Sequence, residues 1–220
     1  MDKILDNLQE NFDKFRIVIK FTFIGCLVTI ALFVIVGIGC KTYSTFFKEI
    51  NSNPQKAIKK IDFLLKIAPK SASLYYLKGH AFLNLEEYDK SLDFFEKSLE
   101  FKKAPNTYAE MAVANFKKER KITPKVLDLF DEAIKLDSSK PQIYFERANV
   151  YFIAGEYDNA LKDLENTYMI THDECFISHS AEIYLQKGDY CKAYAYFEAF
   201  DKETGSNSVL KDYAKFRCGK

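Results

Sequence analysis

The sequence predicts an all-α protein: a solenoid of helical hairpins preceded by a single transmembrane helix. Three observations carry this. A turn followed by the first turn of a helix recurs. It reads Glu86-Glu87-Tyr88-Asp89-Lys90-Ser91-Leu92, then Gly155-Glu156-Tyr157-Asp158-Asn159-Ala160-Leu161, then Gly188-Asp189-Tyr190-Cys191-Lys192-Ala193-Tyr194. Ala57, Ser91, Val126, Ala160 and Ala193 return at a nearly constant interval, and self-similarity of this period marks a stacked repeat. Finally, Phe21 to Cys40 carries no charge, and twelve of its twenty residues are Phe, Ile, Leu or Val. A helix of that length spans the bilayer hydrocarbon.

Residues 1–20 read as a short amphipathic N-terminal tail. Ile4, Leu5, Leu8, Phe12 and Phe15 fall at helical spacing. Asp2, Asp6, Glu10 and Asp13 make this a poor signal-peptide leader, which should be positive. Residues 21–40 follow as the transmembrane helix. Lys14, Arg16 and Lys20 before it, against Lys41 and Lys48 behind it, lean slightly to a cytoplasmic N-terminus. Gly25 and Thr29 form a pair of small residues through which two anchors could pack.

Beyond the anchor the pattern is helix pairs. Asn53 is placed to cap a helix that Pro54 opens. That helix carries Ala57, Ile58, Ile61, Leu64, Leu65 and Ile67 on one face and stops before Pro69. Helices are expected at about 72–84, 88–101, 105–117, 123–136, 141–153, 157–169, 174–186 and 190–201. A last helix at about 207–217 has Val209, Leu210, Tyr213 and Phe216 on one side. Lys211, Asp212 and Lys215 stand opposite, as a solvent cap on such a stack requires. All five prolines fall at element boundaries, where a missing N–H is harmless. Gly79 lies inside a helix, at a cost of about 1 kcal/mol against Ala, and so requires a packing reason.

The unit resembles the tetratricopeptide repeat, a helix–turn–helix of about 34 residues. Gly79, Phe82, Tyr88, Ser91, Phe95 and Ser98 fit one copy. Ala148, Tyr151, Tyr157, Ala160, Leu164 and Thr167 fit another. Ala181, Tyr184, Tyr190, Ala193 and Phe197 fit the last, with Phe200 in place of its closing small residue. The copy between is weaker: Ala112, Phe130 and Ala133 fit, Val126 takes a small site, and the turn from Lys118 to Lys125 is too long by about two residues. Before Pro69 a second helix with Ala57, Ile61 and Leu64 follows a degenerate first one. The resemblance implies a tetratricopeptide-type (TPR-type) solenoid over residues 41–201. Its four to five repeats are expected at about 41–70, 71–104, 105–140, 141–173 and 174–206, with a capping helix in 207–220.

It also implies where a partner binds: the concave groove lined by the first helices. The residues expected there are Tyr76, His80, Asn84, Glu110, Lys117, Gln142, Phe145, Asn149, His179 and Glu182. Some members of the family grip a C-terminal carboxylate with a basic clamp on these faces. Glu110 and Glu146 occupy sites that would have to be neutral or basic, which argues against that partner.

Composition and motifs exclude other classes. A net charge of +1, from 32 basic and 31 acidic residues, argues against nucleic acid. Cys26 and Cys40 lie in the apolar run, and Cys175, Cys191 and Cys218 leave an odd number beyond it. With no C-x-x-C, they do not read as a disulfide framework. His172, Cys175 and His179 have spacings of three and four, which suit zinc on a helix face. However, His172 falls in the turn before the helix and no fourth ligand is evident, so the three read as surface or groove residues. No phosphate-binding loop, zinc-protease motif or nucleophile elbow occurs. No catalytic residue, metal or cofactor is expected.

The expected function is a non-catalytic, single-pass membrane scaffold or adaptor holding a partner protein or peptide in its groove. The expected location is a bacterial cell (inner) membrane, with the N-terminus cytoplasmic. A second reading stays open: Ile38-Gly39-Cys40 has the form of a lipid-modification site. That would make the chain a lipid-anchored, self-associating envelope component.

Overall fold

The computed structural model describes residues 47–206 and 208–219. The tail expected at 1–20, the transmembrane helix at 21–40 and Cys40 lie outside the described residues. Among the described residues no helix is long and apolar enough to cross a membrane. The chain divides into two units after Ser52. The described part of the first is a helix over residues 47–52 (α1).

The second unit is a row of helices: α2 (Pro54–Ile67), α3 (Ala72–Asn84), α4 (Tyr88–Phe101), α5 (Pro105–Glu119), α6 (Pro124–Leu136), α7 (Pro141–Ile153), α8 (Tyr157–Thr171), α9 (Cys175–Lys187), α10 (Tyr190–Thr204) and α11 (Val209–Cys218). Helix starts are written in the sequence. Pro54, Pro105, Pro124 and Pro141 each open a helix, where the absent N–H has no intrahelical partner to lose. Asn53, Ser71, Thr123 and Asp189 accept a backbone N–H from the first turn that follows. The long turn of the third copy is absorbed by α5, which runs to Glu119 and ends on Arg120 in the left-handed region (φ 56°).

The recurring turn of the sequence is one backbone structure made three times. The N–H of Glu156 reaches back to Tyr151 O, that of Asp189 to Tyr184 O and that of Glu87 to Phe82 O. Each closes the first helix of its unit with a left-handed residue. Gly155 (φ 81°) and Gly188 (φ 83°) adopt this freely, whereas Glu86 (φ 60°) does so with a side chain.

Hairpins α3/α4, α5/α6, α7/α8 and α9/α10 form because small residues let the two helices approach. Ser91 Oγ donates to Gly79 O at 2.9 Å, and a Cβ on Gly79 would lie 2.6 Å from the Phe95 ring. The interior glycine therefore has its packing reason. Deeper along the row, Ala112 packs with Val126, Phe130 and Ala133. Ala148 packs with Ala160 and Leu164, and Ala181 with Ala193 and Phe197. Neighbouring units are tied by charge as well. Arg147 on α7 makes a bidentate pair with Asp163 on α8 (2.7 and 2.9 Å) and reaches Asp131 on α6 (3.1 Å). Lys118 pairs with Asp89, and Lys187 with Asp158, each joining the end of a first helix to the start of the preceding second helix.

Two sequence expectations are corrected at the C-terminus. Cys191 and Cys218 form a disulfide, where no disulfide framework was expected. One lies in the first turn of α10 and the other in the last turn of α11. Antiparallel packing of these helices brings their Cα atoms to 4.9 Å, which sequence spacing alone does not reveal. The apolar side of α11 also faces outward: Val209 is 83% and Phe216 80% exposed. The inward side holds Ala214, fully buried, and Lys211, paired with the buried Asp201 at 2.6 Å. The ion pair and the disulfide hold α11 in this orientation.

Two substitutions test this account. Gly79→Ala should lower stability by about 1–2 kcal/mol, because overpacking against Phe95 (about 1–3 kcal/mol) exceeds the helix-propensity gain. Glu86→Gly should raise stability by about 1 kcal/mol by relieving the left-handed position. Denaturant unfolding of the full chain reads both.

Candidate partner-binding groove

The first helices of successive units touch one another, α3 with α5 and α5 with α7. Their exposed sides therefore line one face of the array. Each first helix is set in register by its small residue (Gly79, Ala112, Ala148, Ala181), so positions counted from that residue recur along the face. Glu110, Glu146 and His179 all stand two before it, while His80, Asn149 and Glu182 stand one after it.

The structure gathers part of the expected set into one cluster. His80 Nδ1 lies 2.9 Å from Glu110 Oε1, and the Tyr76 hydroxyl donates to the same oxygen at 3.4 Å. Gln142 Nε2 donates to Glu146 Oε1 at 3.1 Å, along α7. Glu146 interacts electrostatically with both Glu110 and His80, and Lys117 with His80. Residues from three first helices thus share one electrostatic site. Glu110 is buried, and Glu146 and His80 are half-buried.

Burial first, and then the neighbouring charge of Glu110, push the Glu146 carboxyl up to about 7, against the hydrogen bond from Gln142 and the charge of His80. Burial lowers the basicity of His80. Its contact with Glu110, together with the charges of Glu110 and Glu146, more than offsets that and leaves it above the ordinary histidine value. Close to neutral pH the cluster therefore exchanges protons. Two carboxylates and an imidazole brought together in this way favour bound cations, either protons or a basic group of a partner.

Further along, Phe145 on α7 meets α9. Its ring packs edge-on against Phe176 (5.5 Å) and His179 (5.3 Å). Asn84, Asn149 and Glu182 are exposed on α3, α7 and α9. Phe176 was not among the expected groove residues, and Glu146 entered the sequence reading only as a bar to a basic clamp. The available signal was register, since Glu146 repeats the position of Glu110 one unit on. Of the residues weighed for zinc, His172 ends α8 in the left-handed region and packs edge-on against Tyr168. Cys175 opens α9, and His179 Nδ1 lies 2.7 Å from the Cys175 carbonyl. Among the described residues no group of three or more His, Cys, Asp or Glu is arranged to hold a metal.

Comparison with known proteins agrees with this architecture. Tetratricopeptide-repeat models match residues 72–105 and 127–169. The two matched stretches are tetratricopeptide repeats. Anaphase-promoting complex subunit 3 of Schizosaccharomyces pombe is 26% identical over 155 residues, which are 54% of this chain and 23% of that protein. A TPR repeat-containing protein of Methanocaldococcus jannaschii is 29% identical over 104 residues, 47% of this chain and 18% of that one. The chain thus spans about a fifth of the length of the curated relatives it matches. Among solved structures, a thermophilic TPR protein of Thermus thermophilus is similar with a TM-score of 0.61 and 16% identity, over 83% of this chain and 96% of that one. MamA gives 0.55 and 21%, over 70% and 91%. YrrB, described as a TPR protein with an unusual peptide-binding site, gives 0.53 and 20%, over 75% and 84%. These likenesses establish an all-helical TPR solenoid.

The groove cluster has a pH signature. A carboxyl whose folded value is raised binds more protons folded than unfolded, so stability falls as pH rises from the ordinary glutamate range through about 7. His80, also raised, loses its contribution as pH rises through its folded value. Both signs agree. Glu146→Gln should therefore stabilise the chain at pH 8, on the order of 1–3 kcal/mol, and flatten the fall between pH 5 and 8. Thermal melts across that range measure both effects.

Proposed function

We propose that the chain is a non-catalytic adaptor. Its groove holds a partner protein or peptide, and residues 21–40 anchor it in a membrane. The observation that carries the first part is the convergence of α3, α5 and α7 on one polar cluster. Tyr76, His80, Glu110, Gln142 and Glu146 come from three units: Tyr76 and His80 contact Glu110, and Glu146, bonded to Gln142 on its own helix, is coupled electrostatically to Glu110 and His80. Shared among these units, the cluster presents one continuous surface to an extended ligand. The names of similar proteins support a binding role: one is described as having a peptide-binding site, and another is a subunit of a larger complex.

The anchor reading rests on the uncharged run of twenty residues. With the N-terminus in the cytoplasm, a single span places the array on the other side. The Cys191–Cys218 disulfide supports that placement, because cytosolic thiols are kept reduced. Anchoring confines the partner and raises its effective concentration at the membrane.

The test is site-specific photo-crosslinking in native membranes. A probe at Asn149, in the groove, should capture one discrete protein, and Tyr76→Ala should weaken the capture. A probe at Lys97 on α4 should not give the same product. Equal labelling from both positions would overturn the groove reading. Protease should remove a C-terminal tag only when applied from the non-cytoplasmic side.

A further inference from the structure

The last helix holds an apolar stripe out to solvent and is fastened from behind. Val209, Tyr213 and Phe216 follow one another at intervals of four and three, which places them on one face of α11. They are 83%, 47% and 80% exposed, with Leu210 beside them at 45%. Three independent contacts stop the helix from rolling this stripe inward. Ala214 is fully buried against Ala181, Ala193 and Phe197. Lys211 pairs with Asp201, whose carboxylate also accepts the Ser208 N–H at 3.2 Å. Cys218 is bonded covalently to Cys191.

The stripe is self-complementary. The first turn of α11 carries Asp212, and the last turn carries Lys215 and Arg217. A second α11 laid antiparallel against the first brings Asp212 of each copy toward Lys215 of the other, on the same flank of the stripe, and the opposed helix dipoles favour the same arrangement. A parallel copy would set like charges side by side. Tyr213 lies near the middle of the stripe and falls close to the two-fold axis, so Val209 of one copy meets Phe216 of the other. A surface that matches itself under a two-fold rotation is the requirement for an isologous contact. Arg217 borders it, stacked over the Tyr190 ring at 4.4 Å with Nη1 donating to the Tyr213 hydroxyl at 3.2 Å.

We propose that α11 is a homotypic docking helix: a second copy of this chain packs antiparallel on the Val209–Tyr213–Phe216 stripe. The partner is another copy rather than an unrelated helix because the charges flanking the stripe complement those of α11 itself. The face is small beside the roughly 1,200 Å² of a standard interface. The contact is therefore concentration-dependent, and confinement in one membrane would favour it. This goes beyond the groove reading and does not depend on it.

Sedimentation of the full chain in detergent tests the proposal. A monomer–dimer equilibrium is expected, with Phe216→Asp weakening it about tenfold or more, the loss that follows from removing a large aromatic side chain from the contact. Phe216 is exposed, so the thermal melt of this variant should match the parent. Asp212→Lys should weaken the dimer, and Asp212→Lys combined with Lys215→Asp should restore it. A dithiol reductant, which converts the disulfide to two thiols while it is itself oxidised to a disulfide, should loosen α11 and weaken the dimer. A chain that stays monomeric at every concentration would overturn the proposal. So would a dimer indifferent to Phe216→Asp, which would mean association through another segment.

Discussion

Everything in the array follows from how closely two helices of one unit can approach. At Gly79 there is no room for a methyl group beside the Phe95 ring, and Ser91 hydrogen-bonds directly to the Gly79 carbonyl. At the corresponding positions Ala148 packs with Ala160, and Ala181 with Ala193. Close approach fixes the angle of each hairpin. The hairpin angle fixes which side chains face the next unit, and so which remain on the groove. The register of the small residues thus sets the lining of the groove as well as the packing, because Glu110, Glu146 and His179 stand at one fixed offset from them.

The groove follows a different rule from the core. Core positions are filled by apolar residues of the right size, and the substitutions they tolerate are volume-conserving. The cluster around Glu110 collects titratable groups that partly oppose one another, and burial of Glu146 beside Glu110 costs stability near neutral pH. Retaining such a pair fits a surface completed by a cation from outside, in line with the adaptor reading.

The helices and their order were legible in the sequence because the signals were local. Prolines at first turns, capping side chains and the recurring turn each act within a few residues, and the helix bounds fall within about three residues of expectation. The groove was legible in part. Register pointed to Tyr76, His80 and Glu110, but the contribution of Glu146 depends on its distance from α3 and α5, which no local pattern encodes. The C-terminus was the least legible. An amphipathic pattern states that α11 has an apolar side, not that this side faces the core. An ion pair to Asp201 and a bond between cysteines 27 residues apart decide the orientation. Both are products of tertiary packing.

The disulfide also gives the array a direction. In a row of units that touch only their neighbours, heat or force normally peels structure from either end. Here one end is closed. The loop between Cys191 and Cys218 cannot open fully, and closing a loop of this length removes unfolded-chain entropy equivalent to about 3–4 kcal/mol. The last unit is thereby held against loosening more firmly than the units that carry no such bond.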